Sequence, residues 1–317
     1  MPKMPKGISM TNHHIIKCNG LKVVLILFIL GFVLTGGAAA TEQQNQDADA
    51  SKSCLWSIQT GVHTISLLGS FHLLKSDVYP LAAAIDEAYS SSQKVIFEAD
   101  VNAMQTPTVL QKIQRLGLFP EGQTLNQQIS ADTYTKLKTK MSELGLPMQQ
   151  FALYKPWLIA LTLELSELLR LGYDPSYGID MHFLNRAKQD AKELDYLESI
   201  EYQFDLLGNM NQMDQESLLR HTLEDLDDIE NMATDMIAYW KSGDAENLYQ
   251  LLNKNFDKHP RIRDSLLIQR NRAWAARIEA LLKENQNVLV IVGAGHLVGP
   301  DSVVDLLKKK GYRVKQK

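Results

Sequence analysis

Cysteine is scarce in this chain, and its scarcity excludes two kinds of site. Only 2 of the 317 residues are cysteine. Cys18 lies in an N-terminal segment that we expect to be removed, which leaves Cys54 alone. A lone cysteine can form neither an intrachain disulfide nor a thiolate cage for zinc. We therefore predict that Cys54 is a small buried hydrophobic residue.

Three common catalytic motifs are also missing. The sequence contains no Gly-x-Ser-x-Gly elbow, no His-Glu-x-x-His pair and no Walker phosphate loop. These absences disfavour the most frequent designs of serine hydrolase, zinc peptidase and nucleotide-dependent enzyme. Any catalytic centre must therefore be found from residue types and their positions relative to predicted strands.

Long apolar runs are rare, and the clearest one lies near the N-terminus. Lysines precede the continuous apolar run 23–34, and small residues such as Ala38 and Ala40 follow it. The run is about half of the roughly 20 residues that a membrane-spanning helix needs. This pattern predicts a signal peptide over 1–40, cleaved after Ala40, with an uncleaved anchor as the alternative. We expect a periplasmic or secreted protein with no stable membrane span after cleavage.

The remaining chain is acidic and rich enough in apolar residues to form a core. Residues 1–40 contain four lysines and no acids, so their removal leaves 29 basic against 37 acidic side chains. This balance argues against a nucleic-acid partner. With 45% hydrophobic residues, globular structure is expected. We predict a polar flexible leader over 41–53 and one domain over 54–317, with the oligomeric state left open.

Short apolar strands alternate with helical segments, which predicts an α/β fold. An N-terminal hairpin is indicated on both sides of Gly61, and the run 287–292 is a fully apolar strand. Residues 201–285 are helical by periodicity, with Trp240 and Trp274 as expected core residues. We predict a central mixed, largely parallel sheet that is flanked by helices and carries a substantial helical insertion.

Four polar residues immediately follow predicted strands. They are His72 and His296, each in a Gly-x-x-His turn, and the carboxylates Glu98 and Glu198. If the strands run parallel in one sheet, all four residues lie along its carboxyl edge, where ligands bind in open α/β sheets. Glycine before each histidine allows a tight turn. Structural histidines held by hydrogen bonds are the alternative.

These residue types suit metal-assisted hydrolysis. Neutral imidazoles and carboxylates together bind divalent cations such as Mn, Co or Zn. A cation of this kind polarises a carbonyl group and lowers the pKa of bound water. We therefore predict that His72 and His296 bind a metal and that Glu98 or Glu198 is the general base.

Several short motifs occur in combination, and they are distributed over essentially the whole predicted mature chain. They are Gly69-Ser-Phe-His72, Phe97-Glu98, Tyr177-Gly178-Ile179-Asp180, Leu197-Glu198 with Glu201 and Gln203, Arg270-Asn271 with Trp274, and Val292-Gly-Ala-Gly-His296-Leu-Val-Gly299. In these motifs the chain resembles the TraB/GumN (TraB/PrgY/GumN) family, which includes the animal TIKI proteins. One departure is Ser302, which stands where the family pattern has a second glycine.

The resemblance implies a fold like that of TIKI proteins and erythromycin esterases, and a divalent-metal-dependent peptidase or related hydrolase. It adds Asp180 as a third metal ligand or as the residue that orients His72, with Arg270 and Asn271 as further catalytic residues. A bidentate pair with a substrate carboxylate is one role expected of Arg270. Two alternatives remain open. Asp180 would serve equally well as a helix cap, and Arg270 would be purely structural if it paired with Glu98 or Glu198.

The predicted function is therefore that of an exported metal-dependent hydrolase that acts on a peptide or another small polar substrate. The alternative is a non-catalytic extracytoplasmic protein that captures a peptide or glycan in the same cleft. The distance between the imidazoles of His72 and His296 distinguishes shared metal binding from separate roles, because zinc lies only about 2.0–2.1 Å from each nitrogen.

Overall fold

The computed structural model describes residues 52–253 and 259–317. The predicted signal peptide over 1–40, its cleavage site after Ala40 and most of the predicted leader lie outside the described residues. Among the residues that are described, no helix is long and apolar enough to cross a membrane.

The described residues form one sheet with helices before, between and after its strands. The strands are β1 (Leu55–Thr60), β2 (His63–Ser70), β3 (Lys94–Phe97), β4 (Glu193–Tyr196), β5 (Val288–Gly293) and β6 (Val314–Gln316). The helices are α1 (Ala83–Ser91), α2 (Pro107–Gly117), α3 (Leu125–Gln128), α4 (Ala131–Glu143), α5 (Pro156–Arg170), α6 (Ile179–Gln189), α7 (Ile200–Gly208), α8 (Gln212–Asp225), α9 (Ile229–Ser242), α10 (Ala245–Asn253), α11 (Pro260–Arg263), α12 (Gln269–Leu281) and α13 (Val303–Lys309).

The sheet has six strands in the order β4-β3-β5-β2-β1-β6. Strands β4, β3, β5 and β2 are parallel neighbours, whereas β1 is antiparallel to both β2 and β6. The prediction of a mixed, largely parallel sheet is therefore confirmed. Strand β5 is buried along its whole length, which explains its continuous apolar sequence, because parallel strands are covered on both faces.

The predicted hairpin is formed by β1 and β2, with Leu55 opposite Leu68. Gly61 in its turn has a φ of +59°, a conformation that glycine adopts without steric cost. Cys54 is 1% exposed and is not in a disulfide, as predicted. Trp240 and Trp274 are also buried, and the indole of Trp240 donates a hydrogen bond to the carbonyl of Gly69 at 2.8 Å.

The first helix begins later than its cap residues suggest. Ser76 and Asp77 predict a helix that starts there and runs to about Tyr89, but only a short 3-10 turn forms at Ser76–Val78. Tyr79 is extended, at φ −91° and ψ 147°, because the residue before a proline avoids helical geometry. Helix α1 therefore begins at Ala83, beyond Pro80.

The predicted helical insertion is present between β3 and β5, and it contains a second group of buried apolar residues. The first group surrounds the sheet. The second lies mainly among α2, α4, α5, α7 and α8, where Trp157 and Phe204 place their ring centres 6.4 Å apart. Helices α2 to α6 separate β3 from β4, so the insertion stands next to the strand ends that carry Glu98 and Glu198.

Glu164 in α5 provides a test of this helical region. The residue as a whole is half-buried, but burial of its carboxyl, with a further contribution from the Asp225 carboxylate, raises the pKa of Glu164 to about 8. In the unfolded chain the pKa of Glu164 is near 4.5. Ionisation of Glu164 therefore lowers the free energy of unfolding as the pH rises from 4.5 to 8. Glu164→Gln is expected to increase the free energy of unfolding at pH 7 by about 1–3 kcal/mol, as urea denaturation measures.

The matched control is Glu167→Gln on the same helix. Arg170 donates a hydrogen bond to Glu167 at 2.9 Å and lowers the pKa of that carboxyl, so this change should give no gain. The gain of Glu164→Gln should disappear below pH 4.5, where both states carry a protonated glutamate. An equal gain at pH 4 and pH 7 would contradict the account.

Candidate active site

The parallel strands bring the predicted polar residues to one edge of the sheet. Strands β2, β3, β4 and β5 end shortly before His72, Glu98, Glu198 and His296 respectively. Because the four strands are parallel, their carboxyl ends meet at the same edge. Backbone pairing continues past the strands, since the Glu198 amide donates to the Glu98 carbonyl at 3.0 Å.

Arg270 connects three of these strand ends. Its side chain is fully buried, and it extends from α12 between the two carboxylates. Nη2 donates to Oε1 of Glu98 and, at 2.6 Å, to Oε1 of Glu198. Nε donates to the Glu198 carboxylate at 3.1 and 3.2 Å. Nη1 donates to the Leu266 carbonyl at 2.8 Å and to Nε2 of His296 at 3.2 Å. All five N–H groups of the guanidinium are therefore used.

Both carboxylates also receive hydrogen bonds from other residues. Nε2 of Gln203 donates to Oε1 of Glu98 and to Oε1 of Glu198, at 2.8 Å each. The amide of Gly293 donates to Oε2 of Glu98 at 3.2 Å, and the indole of Trp274 donates to Oε2 of Glu198 at 3.1 Å. Every carboxylate oxygen of the pair thus accepts at least one hydrogen bond.

His296 is fully buried and neutral, and its neighbours fix which ring nitrogen holds the proton. Arg270 can only donate, so Nε2 of His296 must accept and Nδ1 must carry the hydrogen. Nδ1 donates to Oδ1 of Asn271 at 2.5 Å. Nδ2 of Asn271 in turn donates to the Asp301 carbonyl at 2.9 Å, which orients the amide. Burial, with the nearby positive charge of Arg270, holds the pKa of His296 well below its ordinary value.

Two carboxylates share the single charge of Arg270. Burial raises the pKa of Glu98, Arg270 offsets part of this effect, and repulsion by Glu198 adds to it. Since His296 is neutral, the cluster has one negative charge in excess unless a carboxyl takes up a proton. The pKa of Glu98 is also lowered by the positive form of His72, which therefore lies within electrostatic reach of the cluster.

His72 is held differently from His296. Its Nδ1 lies 2.7 Å from Oδ2 of Asp180, and 12% of its side chain is exposed. Asp180 also accepts a hydrogen bond from Oγ of Ser70 at 3.0 Å. A carboxylate this close to Nδ1 favours a proton on that nitrogen by charge attraction. This is the arrangement of a base held in place by an acidic partner.

A cavity opens beside His72, and the cavity together with its open mouth contains about 500 Å³ of empty space. Glu98, Asp180 and Gln203 line it together with His72, and the rest of its lining is apolar. His72 and Glu98 therefore border the same cavity at the carboxyl edge of the sheet. A substrate in this cavity would reach both groups, which is the requirement for acid–base catalysis.

The Tyr177-Gly178-Ile179-Asp180 motif packs directly on the turn that carries His72. The amide of Ile179 donates to the Phe71 carbonyl at 3.0 Å, and a Cβ at Gly178 would lie 2.2 Å from the His72 carbonyl oxygen. Only glycine permits this approach. The contact explains how a motif distant in sequence places Asp180 next to His72.

Gly178→Ala is therefore expected to displace the His72 turn and to lower any activity that depends on His72 at least tenfold, since small displacements of catalytic groups are costly. Activity and thermal unfolding should be measured together. Gly295→Ala is the matched control in the other turn, because its Cβ would meet only the Leu252 methyl at an ordinary 3.6 Å. Equal effects of the two substitutions would show that the contact with His72 is unimportant.

The residues of this arrangement do not fit a shared metal ion. Both ring nitrogens of His296 are engaged by Arg270 and Asn271, and all four oxygens of the glutamate pair accept protein hydrogen bonds. Among the residues that the structure describes, no group of three or more His, Cys, Asp or Glu side chains could hold a metal ion. We therefore assign no catalytic step to a cation.

Local structure decides the open alternative for Asp180 and explains the departure from the family pattern at Ser302. Asp180 lies in the first turn of α6, whose N-cap is Gly178, and it makes no capping hydrogen bond. The capping interpretation of Asp180 is therefore wrong. Ser302, which replaces a family glycine, is the N-cap of α13, and its hydroxyl accepts from the Asp305 amide at 3.1 Å.

The sequence pattern alone did not reveal several groups that complete the cluster. Gln203 bridges the two glutamates, Ser70 supports Asp180, and the Gly293 amide and Leu266 carbonyl act through the backbone. Gln203 and Trp274 were marked only by the family resemblance. Backbone groups leave no signal in side-chain identity, so their part could not be predicted.

Comparisons with known proteins agree with the resemblance seen in the motifs. The uncharacterized protein YbaP of Escherichia coli strain K12 is 28% identical over 242 residues, which cover 76% of this chain and 87% of YbaP. Metalloprotease TIKI2 of Danio rerio is 23% identical, with 91% of this chain and 67% of that protein covered. Human metalloprotease TIKI1 is 24% identical, with 88% and 64% covered.

No solved structure matches the chain. The match covers 67% and 64% of the two TIKI relatives, so about one third of each of those proteins lies outside it. The model of the TraB/PrgY/gumN family matches residues 54–316, which include both Gly-x-x-His turns and every residue of the buried cluster. The chain therefore belongs to the TraB/PrgY/gumN family.

Proposed function

We propose that this protein is an exported hydrolase in which His72 activates water for attack on a carbonyl group. The observation that carries the proposal is the contact between His72 and Asp180 at the edge of the cavity. Nε2 of His72 takes a proton as the water oxygen bonds to the carbonyl carbon. The same proton then passes to the leaving group as its bond to that carbon breaks.

Glu98 is the second group that faces the substrate in this proposal. Because burial raises the pKa of Glu98, its carboxyl is suited to hold a proton and to donate a hydrogen bond to the oxygen that becomes negative. Glu198 and Arg270 act as positioning residues that hold Glu98. His296 and Asn271 hold Arg270 through the chain of hydrogen bonds described above.

Peptide and amide bonds are the proposed substrates. Support comes from the relatives named metalloproteases, which cover most of this chain at 23–24% identity. We also propose that residues 54–317 work as one domain after export to the periplasm or beyond. We propose in addition that this protein has the same fold as TIKI proteins and erythromycin esterases.

The names of those relatives also suggest a metal-dependent form of the reaction. Mn, Co or Zn held by His72, His296 and Asp180 would require Arg270 to release Nε2 of His296, because that nitrogen accepts its hydrogen bond. The metal-free and the metal-dependent reaction predict different assay results. If His72 activates water by itself, hydrolysis needs no added cation. If a metal is required, a chelator abolishes hydrolysis and one specific ion restores it.

The test is turnover of a mixed peptide library by the purified protein, with metal content measured on the same sample. We expect cleavage by the wild type and cleavage at least about a hundredfold slower by His72→Gln. Cleavage by His72→Gln at the wild-type rate would overturn the proposed role of His72. Tight peptide binding without cleavage by the wild type would instead favour the alternative, an extracytoplasmic binding protein for peptides or glycans.

A further inference from the structure

We infer that the bond attacked lies in an uncharged, apolar part of the substrate, such as a peptide bond flanked by a large aliphatic residue, and not beside a free carboxylate. This inference deepens the proposed function and rests on it. It depends on two independent features of the cavity. The first is the apolar composition of one wall. The second is that no lysine or arginine side chain is among the described residues that line the cavity.

One side of the cavity is an apolar wall. Its side chains come from the 3-10 turn Val101–Gln105, from α6 and from α7. The apolar wall consists of Val101, Met104, Leu184, Ile200 and Phe204. These side chains stand directly beside His72 and Glu98, so a group of the substrate that lies against them is adjacent to the reacting carbonyl.

The cavity and its mouth together contain about 500 Å³ of space, part of which is open to solvent. Burial of apolar surface is the main gain available there, since each additional methylene in such a pocket changes kcat/KM by roughly 10–200-fold.

The charges of the cavity disfavour an anionic substrate group. Asp180 lines it as a carboxylate, Glu98 lines it as the carboxyl group that holds a proton in the proposed mechanism, and His72 is the single basic side chain among the described lining residues. Arg270 was the candidate for gripping a substrate carboxylate. Its five N–H groups are all directed at Glu98, Glu198, Leu266 and His296, so none is left for that task.

An anion beside the scissile bond would therefore be taken out of water without a partner and placed near two acids. Unpaired charges in such surroundings are strongly disfavoured. An exopeptidase that recognises the C-terminal carboxylate holds it with a cation or with backbone N–H groups. The described residues that line the cavity include no lysine or arginine, which disfavours cleavage beside a free C-terminus.

Substrate preference provides the first test. Internally quenched peptides that differ only in having Leu or Asp beside the cleaved bond should differ in kcat/KM by about 100-fold or more in favour of Leu. Met104→Lys should place a cation in the apolar wall, lower kcat/KM for the Leu peptide at least tenfold and raise it for the Asp peptide. Equal rates on both peptides, or a Met104→Lys variant with unchanged preference, would overturn the inference.

Met213→Lys is the matched control, because Met213 is 72% exposed and lies outside the residues that line the cavity. It should leave the preference unchanged. Circular dichroism should show that both variants are folded. If Met104→Lys fails to fold, Met104→Gln replaces it and should reduce the Leu preference without adding charge, and an unchanged preference there would contradict the inference.

A binding experiment separates this inference from the proposed function. N-acetylleucinamide and N-acetylleucine differ only in the charge of the terminal group, and saturation-transfer NMR detects weak binding of either. The amide should bind and the free acid should not. Equal binding, or no binding of the amide, overturns the inference. Amide binding with no cleavage of any peptide leaves the inference standing and overturns the hydrolase proposal.

Discussion

Replacement of His72 by glutamine is expected to lower kcat/KM for peptide hydrolysis by about 10²–10⁴-fold, the usual contribution of a general base. Glutamine retains a polar side chain but cannot take a proton from water. The side chain of His72 is 12% exposed and contacts Asp180, so the fold should tolerate the change. Steady-state kinetics with a quenched peptide, beside a thermal unfolding curve, gives both readouts.

His63→Gln is the matched control for this change. His63 begins the same strand that leads to His72, but it lies at the opposite end of the sheet, so activity should stay within twofold of the wild type. Asp180→Asn should retain the fold and lose less activity than His72→Gln, because the base is misoriented and not removed. Equal activity of His72→Gln and His63→Gln would contradict the assignment.

Arg270→Met is expected to reduce the free energy of unfolding by about 3–5 kcal/mol, the usual cost of breaking a buried ion pair by removing one partner. The change leaves Glu98 and Glu198 buried, with one positive charge fewer to offset them. Urea denaturation at pH 7 measures the loss. Activity should fall as well, since Glu98 would no longer be held beside the cavity.

Arg277→Met on the same helix is the control. Arg277 is 37% exposed and pairs with Asp195 at 2.9 Å, and exposed pairs of this kind contribute about 0–1 kcal/mol. A second comparison uses the background Glu98→Gln/Glu198→Gln, in which Arg270→Met should cost markedly less because no carboxylate remains. A full loss in that background would show that the charges are not the cause.

The position of the site was largely predictable from the strands. Apolar runs that end at His72, Glu98, Glu198 and His296 predict four strands, and parallel strands must bring these ends together. The sheet confirms that expectation. The cap residues Ser76 and Asp77 predict a beginning of α1 that is too early, because Pro80 disfavours helical geometry at the residue before it.

The partners of these residues were not predictable in the same way. Arg270 approaches the edge of the sheet from α12, and Gln203 approaches from α7, so their contacts depend on how helices pack and not on local pattern. The family motifs include Arg270, but they do not show that all of its N–H groups donate hydrogen bonds within the protein. The different roles of the two histidines also follow from tertiary contacts, since Asp180 holds one and Arg270 the other.

The central claim is that His72 activates water for attack on a substrate carbonyl. The most direct measurement is hydrolysis of a quenched peptide in ¹⁸O-labelled water by the wild type and by His72→Gln, both treated with a chelator and assayed by mass spectrometry. We predict that the wild type forms a new C-terminal carboxylate with one ¹⁸O atom and that His72→Gln forms this product at least about a hundredfold more slowly. Equal amounts of labelled product from both proteins would contradict the account.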